Sequence, residues 1–130
     1  MNDVLERNKN SVIGFDELMF NECKPAEAIA RYAVRAIQAT QPARRRRKAR
    51  VHRIRRAHGG RVPREARPRQ ALRGGGNFVV LHCRQQWPTD SNKAGAGIDI
   101  FRLNEEGKIA EHWDVLQVVP VESKNKNSMF

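Results

Sequence analysis

The strongest constraint on this chain is an arginine-rich segment in its middle, residues 33–76. The segment holds fourteen arginines, Lys48 and a single acid, Glu65, whereas all eight aromatic residues of the chain lie outside it. From Arg44 to Arg56 the basic residues would place like charges three and four positions apart on every face of a helix, where they repel one another. Read alone, the segment is typical of a disordered basic linker.

The chain as a whole has the size of one domain. It has 130 residues and a net charge of +11, and we expect a single domain over residues 1–130 with the basic segment inside it. Its longest apolar runs are too short to cross a bilayer. The start MNDVLERNKN has no apolar signal region, so we expect a cytoplasmic protein with Cys23 and Cys83 reduced. The sequence has no motif for a nucleotide, metal or flavin, and we expect no cofactor.

Two helices are predicted before the basic segment. Val12, Phe15 and Met19 recur at three- and four-residue spacing, which favours an amphipathic helix over residues 10–21. Cys23 and Lys24 interrupt this pattern. Pro25 is well placed to begin a second helix that ends near Tyr32, since proline is favoured in the first helical position.

Three strands are predicted after the basic segment. The stretches NFVVLHCRQQW, GIDIFRL and KIAEHWDVLQVV are rich in β-branched and aromatic residues and are separated by glycine-containing turns. We expect them to form three adjacent antiparallel strands. The polar stretch from Glu122 to Met129 is expected to be a loose end.

The flanks of the basic segment resemble a known family. The runs NKNSVIGFDELMFNECKPAEAIARY, NFVVLHCRQQWP, AGIDIFRLNEEGKIAEHWDVLQVVP and the terminal NSMF are similar to the SnoaL-like polyketide cyclases of the nuclear transport factor 2-like superfamily. The run Glu111-His112-Trp113-Asp114 is the most specific part. The resemblance covers about two thirds of the chain and implies an α+β cone, with N-terminal helices packed on a curved, mostly antiparallel sheet and an irregular middle segment.

Codons can be chosen for the basic segment that encode stretches similar to this family when they are read one base later. Members of the family read roughly NPHVADGK, AFI, ERMA and EYPGKRV in this region. Gln41 to Lys48 can be written as CAA CCC GCA CGT CGC CGA CGG AAA, which read one base later gives Asn-Pro-His-Val-Ala-Asp-Gly. Residues 50–52, 56–59 and 61–67 match the other three stretches at the same offset. We therefore interpret residues from about 33 to 76 as a frame-shifted stretch between two compensating single-base changes.

Asp114 is the first candidate for catalysis. Alternation along the last strand places Asp114 on one face with His112, Ala110, Leu116 and Val118. Partial desolvation there would raise the pKa of its carboxyl toward a value suited to moving a proton on the carbon beside a carbonyl. The resemblance implies the same role, since the aspartate of the family's HWD motif is the acid/base of an aldol-type ring closure. The alternative is a structural pair of Asp114 and His112 at the sheet edge.

Three further residues bear on the site. His82 could line the pocket and polarise a substrate carbonyl, or it could be a structural histidine. Asp99 shares its parity with Phe101 and Leu103, so it is a candidate second pocket carboxylate. Cys83 follows His82 directly and should point to the opposite face, which excludes a nucleophile pair of these two residues.

The functional prediction is a cofactor-independent cyclase, aldol-condensing or isomerase-type enzyme acting on a small or polycyclic carbonyl compound. Arginines replace half of the family's pocket wall, and burying them unpaired would be costly, so we expect the sheet face to be left uncovered. We therefore expect an impaired enzyme that keeps the family's fold in its flanks but is destabilised and inactive as written. One alternative is a non-catalytic module of the same fold that binds a small ligand or forms a homodimer through the sheet. Another is nonspecific, salt-sensitive nucleic-acid binding through Arg44 to Arg73, although the segment has no aromatic residue for base stacking.

Overall fold

The computed structural model describes residues 2–39, 64–70, 76–87 and 90–130. In these residues the order of elements is two helices, two short strands and then three longer strands. The fold is therefore α+β, as predicted. No helix in the described ranges is long and apolar enough to cross a membrane.

The helices confirm the predicted interruption and the second helix. Helix α1 spans Asn2–Asp16 and continues into a π-helical turn, Glu17–Asn21, and helix α2 spans Pro25–Tyr32 with proline in its first turn. Cys23 lies between them with a left-handed φ of 57°, which redirects the chain. Helix α1 begins well before the predicted Asn10.

Asn8 explains why the start of α1 was missed. It is 1% exposed, although asparagine reads as polar in a periodicity analysis. Its Nδ2 donates a hydrogen bond of 2.9 Å to the carbonyl oxygen of Gly76, and its Oδ1 accepts bonds from Arg7. A buried polar side chain with satisfied partners thus occupies a position on the buried face where the pattern required an apolar residue.

The strands form one mixed sheet in the order β1-β5-β4-β3-β2. Their bounds are β1 Ala33–Ala39, β2 Arg64–Gln70, β3 Phe78–Trp87, β4 Asp90–Leu103 and β5 Ile109–Val118. Strands β3, β4 and β5 are adjacent and antiparallel, which confirms the predicted three-stranded unit. Strand β1 runs parallel to β5, and β2 runs antiparallel to β3.

Strands β1 and β2 lie inside the basic segment, where an irregular chain was predicted. Both are edge strands of the sheet. An edge strand satisfies the main-chain donors and acceptors of its neighbour whatever its side chains are, and it tolerates charges. Pro68, opposite Leu81, also fits an edge, because proline has no N–H to donate. Residues 40–63 and 71–75 lie outside the described residues, as does the part of the prediction that concerns them.

The core lies between the helices and one face of the sheet, which we call the inner face. The helices contribute Val12, Phe15, Leu18, Met19 and Ala28, and the strands contribute Val79, Leu81, Cys83, Phe101, Leu103 and Ile109. The rings of Phe15 and Phe101 meet edge to face, with centroids 5.9 Å apart, so a helix residue packs directly on the middle strand. This packing covers the Leu103 end of β4 and positions the polar residues further along the same face.

Strand β5 departs from the strict alternation expected for it. The register with β4 shifts between Arg102 and Leu103, so that Phe101 lies opposite His112 and Leu103 lies opposite Ile109. Ile109 is fully buried, whereas alternation placed it on the face opposite His112. The irregularity adds one residue on β5 and returns Ile109 to the core.

Candidate active site

Four polar side chains meet on the inner face beyond the apolar core. Cys83 on β3, Asp99 on β4, and His112 and Asp114 on β5 come from three adjacent strands. Asp99 lies directly opposite Asp114 in the register, and directly opposite residues share a face. We call these four residues the inner-face cluster.

Asp99 and His112 form a buried pair. The His112 Nε2 lies 2.7 Å from Asp99 Oδ1, and the two side chains are only 6% and 5% exposed. The ring of Phe101 stacks on the His112 imidazole, with centroids 4.4 Å apart and planes 23° from parallel. The carboxylate and the phenyl ring together fix both the position and the tilt of the imidazole.

The hydrogen bond also determines which ring nitrogen of a neutral His112 carries the proton. An ionised carboxylate only accepts hydrogen bonds, so the Nε2 that faces Asp99 must be the donor and Nδ1 keeps the lone pair. Nδ1 is buried and has no hydrogen-bond partner among the described residues. An unpaired buried nitrogen is costly, and its environment would favour a ligand atom that bonds to it.

Cys83 contacts the other oxygen of the Asp99 carboxylate. Its Sγ lies 3.6 Å from Asp99 Oδ2, within the range of a thiol hydrogen bond. The thiol is fully buried. The carboxylate of Asp99 therefore has a donor on each oxygen, one from each neighbouring strand.

Asp114 differs from Asp99 in its access to solvent. It is partly exposed, whereas Asp99 is 3% exposed. Beyond it on the same strand, Leu116 and Val118 are 44% and 55% exposed. The inner face thus runs from a buried carboxylate–imidazole pair, through the partly exposed Asp114, to exposed apolar side chains.

His82 is not brought together with His112 and Asp114. It lies on the opposite, outer face of the sheet, where its ring stacks on Phe130 with centroids 5.7 Å apart. Arg84 also lies over the Phe130 ring, 5.3 Å from its centroid. Cys83 points to the inner face, as the alternation of adjacent strand residues predicted, and a role of His82 in substrate binding stays a prediction.

The sequence identifies Asp99, His112 and Asp114 as candidates but does not show how they pair. The predicted structural alternative was a pair of His112 with Asp114 on one strand, whereas His112 reaches diagonally to Asp99 on the next strand. Cys83 was excluded as a partner of its neighbour His82, and its contact with Asp99 was not predicted. The strand parities were the available signal, because they place all four residues of the cluster on one face.

The outer face carries an ion pair on the same two strands. Arg102 donates to the carboxylate of Glu111, and this hydrogen bond raises the pKa of the Arg102 guanidinium above its ordinary value. No three histidine, cysteine, aspartate or glutamate side chains in the described ranges are arranged to hold a metal ion.

Comparisons with known proteins give a likeness in fold. No family model and no curated protein matches the chain. The crystal structure of a "putative isomerase of the SnoaL-like family" from Agrobacterium tumefaciens strain C58 matches it with a TM-score of 0.61 and 17% sequence identity, covering 86% of this chain and 98% of that one. The helices and the curled mixed sheet are thus consistent with a nuclear transport factor 2-like cone, which is the predicted fold class.

Proposed function

We propose that the inner-face cluster moves a proton on the carbon beside a carbonyl group, in an isomerase-type or aldol-type reaction that needs no cofactor. One observation carries the proposal: Asp114, which is partly exposed, lies directly opposite Asp99 on the adjacent strand, and Asp99 is buried and bonded to His112. Two carboxylates in such different surroundings suit different roles. The likeness in fold to a SnoaL-like protein agrees with this chemistry.

Asp114 is the general base of this proposal. Asp99 is buried, and its carboxylate is already bonded to His112 and Cys83, so a substrate carbon cannot reach it. Asp114 is partly exposed on the same face. Its carboxylate takes the proton from the substrate carbon, the electron pair moves to the carbonyl oxygen as an enolate, and the carboxylic acid then returns the proton to a carbon or to the alkoxide of an aldol step. A positioned base typically contributes about 10²–10⁴-fold in rate.

His112 takes part as a neutral imidazole. Its Nε2 donates to Asp99, which leaves the lone pair of Nδ1 without a partner among the described residues. That lone pair accepts a hydrogen bond from a hydroxyl group of the substrate and so orients the substrate toward Asp114. An acceptor that is held in place beforehand loses little freedom when a ligand binds, as Phe101 and Asp99 hold this ring.

The exposed apolar residues favour a carbon-rich substrate. Leu116 and Val118 follow Asp114 on its face and remain 44% and 55% exposed. Gly95 and Gly97 lie opposite them and add no side chain. A flat ring system lying over these residues would bury apolar area while its carbonyl group reaches the polar end of the face.

The test is hydrogen exchange at the carbon beside the carbonyl of a cyclic ketone, followed by NMR in heavy water. Asp114→Asn should lower the exchange rate by about 10²–10⁴-fold. Glu111→Gln is the matched control, because it removes one carboxylate from the same strand on the outer face, and it should leave the rate unchanged. Equal rates for Asp114→Asn and Glu111→Gln would refute the proposed base.

We further propose that the basic segment is the translation of a displaced reading frame and that it impairs the activity of this chain. The support is the offset match of four stretches between residues 41 and 67. Sequencing of the coding DNA from about codon 30 to codon 80 tests this proposal. Two single-base changes enclosing the NPHVADGK and EYPGKRV text would support it, and a coding sequence without that text in the neighbouring frame would refute it.

We also propose a homodimer through the outer face. Ile98 and Ile100 on β4 and Val115 on β5 are 42%, 36% and 71% exposed on this face. Sedimentation analysis of the wild-type chain and of Val115→Lys tests it. A wild-type dimer that the lysine converts to a monomer would support the proposal, and a monomeric wild-type chain would refute it.

A further inference from the structure

We propose that Cys83 is a positioning residue of the inner-face cluster, whose thiol holds the Asp99 carboxylate in the orientation that selects the tautomer of His112. Only the effect of this tautomer on the reaction rests on the proposed function, because the tautomer itself can be measured without a substrate. Cys83 does not contact the reacting atoms and acts through Asp99 and His112.

The sheet register explains how the thiol reaches Asp99. Cys83 lies directly opposite Gly97, one inner-face position from Asp99 on β4, and His112 lies opposite Phe101, one inner-face position from Asp99 on the other side. Both partners of Asp99 are therefore diagonal neighbours, within reach of a side chain but not in direct pairing. Because Gly97 has no side chain, nothing from that position lies between Cys83 and Asp99.

The two donors act on different oxygens of the same carboxylate. His112 Nε2 bonds to Oδ1 at 2.7 Å, and Cys83 Sγ bonds to Oδ2 at 3.6 Å. Rotation of the carboxylate about its Cβ–Cγ bond would move Oδ1 away from Nε2. A second donor on the opposite strand opposes that rotation and keeps the in-plane lone pair of Oδ1 directed at Nε2.

A thiol suits this position better than a hydroxyl. Cys83 is part of the apolar core together with Val79, Leu81 and Phe101, and cysteine packs as a small hydrophobic residue while it keeps a weak donor. The position must therefore satisfy the core and the carboxylate at once.

The consequence is that Cys83 biases the protonation pattern of His112. With Asp99 held, a neutral imidazole keeps its proton on Nε2 and its lone pair on Nδ1. Without the thiol, one of the bonds that oppose rotation of Asp99 is lost, and a rotated carboxylate lets the proton move to Nδ1. Loss of one such hydrogen bond corresponds to about a five-fold change in the ratio of the two tautomers.

The test is two-bond proton–nitrogen NMR of the full chain labelled with ¹⁵N-histidine, with His112 assigned by loss of its signals in His112→Gln. The wild-type chain and Cys83→Ser, which keeps a donor, should show His112 protonated on Nε2. Cys83→Ala should raise the fraction protonated on Nδ1 by about five-fold. Cys23→Ala is the control for loss of a thiol elsewhere, and it should match the wild type.

A wild-type imidazole protonated on Nδ1, or a Cys83→Ala spectrum identical to the wild type, would overturn the inference. If Cys83→Ala does not fold, infrared spectroscopy of the Cys23→Ser chain is used instead, since Cys83 is then the only thiol. Asp99→Asn should move the S–H stretching band of Cys83 to higher frequency, because the hydrogen bond to the carboxylate is lost. An unmoved band overturns the inference. Failure of the proposed function appears separately, as hydrogen exchange that does not depend on Asp114.

Discussion

Removal of the Asp99 carboxylate should destabilise the fold strongly. In Asp99→Ala, His112 stays buried at about 7% exposure with neither ring nitrogen paired. A buried donor that loses its partner costs about 1–3 kcal/mol, and the deleted side chain also loses its packing, so we expect the free energy of unfolding to fall by about 3 kcal/mol. Urea denaturation, followed by tryptophan fluorescence and by circular dichroism, measures this change.

A double-mutant cycle separates the pair from the loss of side-chain volume. The double variant Asp99→Ala/His112→Phe removes both polar groups. The phenyl ring introduced at position 112 can stack on Phe101 as the imidazole does. Because no buried polar group of the pair is then left unsatisfied, the double variant should be more stable than Asp99→Ala by about 1–3 kcal/mol. Effects that add within about 0.5 kcal/mol, as for independent sites, would refute the buried interaction.

Two further predictions concern how helix α1 is held. A Cβ on Gly14 would lie 2.5 Å from the Tyr32 hydroxyl oxygen. Gly14→Ala should therefore lower the free energy of unfolding by about 1 kcal/mol, because overpacking of about 1–3 kcal/mol outweighs the better helix propensity of alanine. In a Tyr32→Ala background Gly14→Ala should instead be stabilising, and urea titrations that show destabilisation in both backgrounds would contradict the contact. Asn8→Ala leaves the Gly76 carbonyl without its donor at 2.9 Å and should lower the free energy of unfolding by about 1–3 kcal/mol in the same assay. Lys9→Ala is the control, because it removes only an exposed ion pair and should lower the free energy of unfolding by less than about 0.5 kcal/mol. Equal destabilisation by the two variants would contradict the buried hydrogen bond.

The helices and the three long strands could be predicted because their signals are local. Pro25 lies in the first turn of α2, and the β-branched and aromatic residues that follow Asn77 predict β3. The start of α1 could not be predicted, because the buried Asn8 depends on the distant carbonyl of Gly76. Strands β1 and β2 could not be predicted either, since their pairing depends on the edges of β5 and β3 rather than on their own residues.

The members of the candidate site could be predicted, but their pairing could not. Parity along β4 and β5 is a local property, and it identified Asp99 and Asp114 as residues of one face. The diagonal bond between Asp99 and His112 depends on the register of the two strands, which a shift near Arg102 adjusts. A single sequence carries no direct signal for register, and the contact of Cys83 with Asp99 across β3 and β4 was missed for the same reason.

The most direct measurement is hydrogen exchange on a cyclic ketone by the protein made from a gene in which the reading frame between about codons 33 and 76 has been restored, with and without Asp114→Asn. We predict exchange well above the solvent background for the restored chain, lower exchange for the chain with the basic segment, and a loss of about 10²-fold or more when Asp114 is replaced. Exchange at the background rate in the restored chain, or exchange that survives Asp114→Asn, would contradict proton transfer by the inner-face cluster.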